Sequence, residues 1–299
     1  MRPFLSLCVL LAAACDAAAL PSGPLSGGLA LPPAGVARPA SPFPPDFIDL
    51  VAHAGWIFQA TVTELHAATE PAPPPWADPQ NQWDLEKMVV VRIDQVAVAP
   101  LQDELVLGSQ DTIILRAPPS FGVGFAGYFL VSAFEVGRSW VFTEQGRLPA
   151  NAVPWDSFAH KVNEVRRYLF DRALYDRMVG ADRVIVGTVQ QVARLPGGVS
   201  DNQPEWWQAT VGVDGTLRGP RPTASPYYPV RYEGSGNPCC IGMPKLHVSD
   251  HAILLLYPDT VTGLSGDAFL IIDPLDLQRT QDLVRLEALL GAPPEPPPL

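Results

Sequence analysis

DFIDLVAHAGWIFQATVTEL at 46–65 and LYDRMVGADRVIVGTVQQV at 174–192 read as the same passage written twice. Each is a short amphipathic helix, a small-residue turn, and an alternating strand that contains a Thr-Val pair. Placing Thr61-Val62 on Thr188-Val189 sets a spacing of 127 residues. Downstream, MVVVRIDQVAVA (88–99) matches WQATVGVDGTLRG (207–219), with Asp94 opposite Asp214 at a spacing of 120, so the intervening loop is shorter in the second copy. GYFLVSAF (127–134) then matches HAILLLYP (251–258), and SWVFTE (139–144) matches DAFLIID (267–273). Four blocks in one order mark an internal duplication.

The periodicity inside the blocks is two. Val89, Val91 and Ile93 alternate with Val90, Arg92 and Asp94, and Ala209, Val211 and Val213 alternate with Thr210, Gly212 and Asp214. One apolar face at that period predicts half-buried strands. The expected strands lie near 56–65, 87–98, 104–116, 127–133 and 139–143, then near 183–193, 207–217, 226–232, 251–257 and 267–272. Each copy closes with a helix. Phe158, Val162, Val165 and Leu169 form one stripe after an expected N-cap at Asp156, and Leu283, Leu286 and Leu290 form another that Gly291 stops.

Five short strands with flanking helices predict a mainly β chain of two tandem five-stranded OB-like barrels, each with a short N-terminal and a C-terminal helix. The expected domains are 46–172 and 173–291. In the second copy ADRVIVGTV, VGVDGTLRG, LHVSDHAILLL and GDAFLIID resemble the netrin-like and tissue-inhibitor-of-metalloproteinase superfamily over about 100 residues. That resemblance implies an OB-type barrel. Inhibitors of the superfamily present a disulfide-bonded cysteine at the very start of the barrel, where its backbone ligates a protease zinc. Here the nearest upstream cysteine, Cys15, is separated from the first strand by a proline-rich segment, so the resemblance bears on fold and not on that mechanism.

The N-terminus MRPFLSLCVLLAAACDAAALPSG has one basic residue, an apolar stretch and then small residues, the layout of an export signal over residues 1–15. Ala12, Ala13, Ala14 and Cys15 resemble a bacterial lipoprotein box, in which the cysteine is lipidated. Ala12 stands where such boxes usually carry Leu, Val or Ile, and ordinary signal peptidase could cut the same stretch. The expected location is therefore the cell envelope, as a lipoprotein, or the secreted fraction. Residues 16–45 are rich in Pro, Gly, Ser and Ala and read as an extended stalk, and APPEPPPL at 292–299 as a disordered end.

A formal net charge of -11, with 20 Lys+Arg against 31 Asp+Glu, excludes a nucleic-acid surface, which needs clustered cations. The expected partner is an extracytoplasmic protein or glycan, and contact with a membrane is expected only through the lipid. No nucleophile elbow, zincin helix, P-loop or dinucleotide fingerprint is present, so a non-enzymatic binding or inhibitor-like module without a cofactor is expected. Two local features stand out. GNPCCIGMPKLHVSDH gathers Cys239, Cys240, Met243, His247 and His251. The adjacent cysteines are expected to form a vicinal disulfide in an oxidising compartment; soft sulfur with imidazole would suit Cu or Zn, and a redox-active pair or an intermolecular bridge are the further alternatives. The loops before the second strand of each copy hold Trp76, Trp83, Trp206 and Trp207, candidate ligand anchors if they do not simply pack inward. A metal-binding or thiol-redox protein built on the cysteine loop is the alternative reading.

Overall fold

The computed structural model describes residues 41–69, 84–100, 107–136, 139–196, 205–220, 225–234, 243–260, 262 and 267–299. The expected export signal with Cys15, nearly all of the expected stalk, Trp76, Trp83, Cys239 and Cys240 lie outside the described residues. The elements in order are α1 (Phe47–His53), β1 (Trp56–Leu65), β2 (Met88–Val98), β3 (Gln110–Ile114), β4 (Ala126–Val136), β5 (Ser139–Pro149) and α2 (Trp155–Gly180). There follow β6 (Arg183–Arg194), β7 (Trp206–Arg218), β8 (Tyr227–Glu233), β9 (His251–Pro258), β10 (Phe269–Leu270), β11 (Leu277–Arg279) and α3 (Leu283–Gly291).

The duplication is written into the strand pairing. In the first copy β1 pairs antiparallel with β2 and β4, β2 antiparallel with β3, β3 parallel with β5, and β5 antiparallel with β4. Substituting β6 to β10 for β1 to β5 reproduces every pairing and every sense, including the single parallel step between β8 and β10. The irregularities repeat as well. Register shifts at 57/58, 59/60 and 62/64 in β1 recur at 184/185, 186/187 and 189/191 in β6, each 127 residues on. Bulges of this kind bend a strand and raise its twist. A side-chain bond repeats with them: the Thr61 hydroxyl donates to Asp94 Oδ2 at 2.6 Å and the Thr188 hydroxyl to Asp214 Oδ2 at 2.8 Å.

Alternation then sorts each copy into two cores. Trp56, Phe58, Val91, Ile93, Phe129 and Phe142 form one core on the first sheet, as Ile185, Val211, Val230, Leu254 and Leu256 do on the second. The opposite face of the same strands meets the helices. Phe47, Val51, Ile57, Tyr128 and Leu130 in the first copy answer to Leu174, Met178, Val184, Ile253 and Leu255 in the second. These pairs correct one sequence match. Gly127 lies opposite Ala60 and Ala252 opposite Gly187, so GYFLVSAF aligns with the chain from Ala252, one residue later than the blocks suggest. A slip of one would exchange the interior and exterior faces of the strand.

The helices also depart from expectation. The C-terminal helix of the first copy and the N-terminal helix of the second are one 26-residue helix, because nothing between Phe170 and Leu174 breaks it. Phe158, Val162 and Val165 at its start are buried with the first copy, Leu174 and Met178 with the second, so it crosses the expected boundary near 172. Asp156 is not its cap: Pro154 holds that position, with no side-chain bond, and Asp156 sits in the first turn where a carboxylate suits the helix dipole. The strand expected at 267–272 shortens to Phe269–Leu270, since Asp273 and Pro274 start a 3-10 turn, and β11, which was not foreseen, adds to the free edge of β9. The tail, expected to be disordered, has its last residues against α2: Leu299 packs on the α1–α2 core and the Pro298 carbonyl accepts from Lys161 Nζ at 2.9 Å.

Candidate functional site

Both copies end the approach to their fourth strand with the same turn. In the first, Phe125 N–H donates to the Gly122 carbonyl, Gly124 N–H to Val62 and Val62 N–H to the Phe125 carbonyl. In the second, Asp250 N–H donates to His247, Ser249 N–H to Val189 and Val189 N–H to Asp250. Gly124 has a φ of 89°, where glycine is unstrained. Ser249, its counterpart, is held at 76°, a left-handed conformation that costs an L-residue energy and that the surrounding bonds enforce.

This turn fixes which side chains stand at the mouth of each ring. Phe121 and Phe125 occupy the first mouth, their rings stacked at 4.3 Å and packed with Leu65 on the interior core beside Leu115. The Arg147 guanidinium lies 5.0 Å from the Phe121 centroid and covers the plug. Leu246 and Asp250 stand at the corresponding places in the second copy. In place of two rings there is a cavity of about 270 Å3, lined by Val192, Trp207, Tyr232, Gly234, Lys245, Leu246, His247 and Val248.

The cavity is aromatic and apolar on its inner side. Trp207, second residue of β7, lies opposite Tyr232 of β8 and packs on the interior core. Its indole edge crosses Gly234, where an added Cβ would fall 2.1 Å from Cδ1, so a side chain at 234 would displace the ring. The indole N–H is buried and has no hydrogen-bond partner among the described residues. Tyr232 donates to the Leu246 carbonyl at 3.0 Å. Burial, helped by the Asp250 charge, pushes its phenol up to about 12, so it stays a donor across physiological pH. At the rim Lys245 Nζ reaches the Gly234 carbonyl at 3.4 Å, and Asp250 accepts from His247 N–H at 2.7 Å.

The residues read as possible metal ligands do not meet here. His247 lies 3.4 Å from Asp250 and faces the mouth, whereas His251 lies 3.5 Å from Asp214 and lines a separate cavity with Leu277, Gln278 and Thr280. Met243 is half-buried before the mouth, and the two cysteines are outside the described residues. Among the described residues no group of three or more His, Cys, Asp or Glu is placed to hold a metal ion. Of the four tryptophans, Trp207 lines the mouth, Trp206 begins β7 half-buried, and Trp76 and Trp83 are not described. Val192, Tyr232 and Leu246 were missed by sequence reasoning. The one signal for them is the replacement of Phe121 and Phe125 by Leu246 and Asp250, visible only when loops of unequal length are aligned on their closing turn.

No protein-family model matches the chain, and no curated protein matches it. Among solved structures it is similar to the wild-type single-stranded DNA binding protein from Thermus aquaticus, with 9% identity over 75% of this chain and 91% of that one and a TM-score of 0.18. A score at that level carries no argument about fold or function. None of the helices among the described residues is long and apolar enough to cross a membrane.

Proposed function

We propose that the chain is an exported, non-enzymatic binding module, lipid-anchored through Cys15, that engages an extracytoplasmic protein or glycan at the mouth of its second copy. In this reading each copy is an OB-type barrel, and the likeness to the netrin-like superfamily is one of fold. The parallel pairing of the third and fifth strands, present in both copies, supports the barrel assignment. The observation that carries the functional reading is the contrast between the mouths, one filled by the Phe121–Phe125 stack and the other a cavity lined by Trp207 and the buried Tyr232 and Leu246. An apolar cavity with aromatic walls, at a place that the duplicated sibling fills from within, suits a ligand-binding role.

The test uses 1-anilinonaphthalene-8-sulfonate, whose emission rises in apolar surroundings. The natural chain is expected to bind it at one saturable site, and Leu246→Phe, which restores one ring of the plug, to weaken binding at least tenfold. Near-UV circular dichroism checks that the variant keeps native packing, since loosely packed chains bind this dye nonspecifically. Undiminished binding by a natively packed Leu246→Phe chain would count against the reading.

A further inference from the structure

Building on the proposed binding role of the second mouth, we propose that its occupant is a single aromatic ring. The first copy serves as the template. The same turn and the same strand pairings there carry a phenyl ring supplied from within, Phe121, half-buried, stacked on Phe125 and resting with it on the core. The first copy holds covalently what the second is shaped to receive.

Size and wall chemistry agree with this assignment. A dry cavity of roughly 150 Å3 suffices for one benzene molecule, and drug-sized ligands occupy roughly 300–1,000 Å3. At about 270 Å3 the mouth encloses one substituted ring, and any further part of a ligand lies outside the rim. Trp207 and Tyr232, opposite one another on neighbouring strands, both line the cavity, and in the first copy Phe125 meets Phe129 edge-on at 6.4 Å. Aromatic pairs gain an edge-to-face or offset-stacking term beyond buried area, so a ring should exceed an aliphatic group of similar size by roughly three- to tenfold in affinity. The ring can belong to a side chain of a partner or to a free small molecule, and the two sources share this chemistry.

The experiment labels the tryptophans with 5-fluorotryptophan and follows the Trp207 fluorine resonance, assigned by its loss in Trp207→Phe. N-acetyl-phenylalaninamide is expected to move this resonance saturably, and N-acetyl-leucinamide to need about three- to tenfold more. Leu246→Phe is expected to abolish the response, and Val192→Phe serves as a second plug if that chain does not fold. A pentapeptide Gly-Gly-Phe-Gly-Gly that matches the blocked amino acid places the ring on a partner chain, and p-cresol binding without the peptide makes it a free molecule; both uphold the inference. If the leucine derivative saturates at equal or lower concentration, the ring assignment is overturned while the mouth remains a binding site. If neither compound moves Trp207, both fall.

Discussion

Asp276→Ala is expected to destabilise the second copy by about 3–4 kcal/mol, read from the midpoint of urea unfolding. Asp276 is fully buried. It accepts from Arg177 Nε and Nη2, both at 2.7 Å, and from the backbone N–H groups of Ile272 at 3.0 Å and Asp273 at 2.9 Å. Burial raises the carboxyl of Asp276 against the pull of these donors, the desolvation cost that offsets the attraction in a buried ion pair. Removing one partner is different, because it leaves two backbone amides without their acceptor and the Arg177 guanidinium with the longer Asp273 contact at 3.4 Å. Arg177 belongs to α2, stacks 5.0 Å from the Tyr257 centroid and accepts from the Tyr257 hydroxyl through its carbonyl, so the loss propagates to the seat of the helix on β9. Asp276→Asn should recover part of the loss, since an amide oxygen still accepts from the backbone. A loss under about 1 kcal/mol for Asp276→Ala would show that this junction does not hold the helix.

Phe158→Ala is expected to cost about 3–5 kcal/mol in the first copy, the usual range for emptying a buried phenyl site. Phe158 has no exposed surface, stacks on Tyr128 at 4.1 Å with 14° between the planes, and meets Phe47 edge-on at 6.1 Å. Tyr128 in turn donates to the carbonyls of Ala150 and Val153, so the cavity opens beneath the turn that launches α2. Two copies on one helix need not unfold together, and hydrogen exchange separates them. In Phe158→Ala the amides of β1 and β4 should lose protection more than those of β6 and β9, and in Asp276→Ala the order should reverse. Equal loss everywhere in both variants would mean that the chain unfolds as one unit.

The spacing of Thr61 and Thr188 was enough to place β1 on β6 and β2 on β7, because a hydrogen-bonded Thr–Asp pair survives in both copies and pins the register. The third block misled by one residue: in HAILLLYP nearly every position is apolar, and a strand buried on both faces carries no alternation to align. The continuity of α2 was legible in hindsight from the absence of Gly or Pro between Phe170 and Leu174, but the repeat invited a cut there. Asp276 gave no sign, since its partner lies 99 positions away and pairs of that kind are set by tertiary packing. The mouth was half legible. Trp207 stood out by type, while Leu246 and Tyr232 look like ordinary core residues until the plugged sibling is laid beside them.

Two side chains, the one before the shared turn (Phe121 or Leu246) and the one that ends it (Phe125 or Asp250), set whether a copy's mouth is filled. The most direct test is the number of 1-anilinonaphthalene-8-sulfonate molecules bound per chain by Phe121→Leu/Phe125→Asp, which gives the first mouth the residues of the second. A natively packed variant is expected to bind two where the natural chain binds one. A variant with native near-UV dichroism that still binds one, or a natural chain that binds none, would contradict the account.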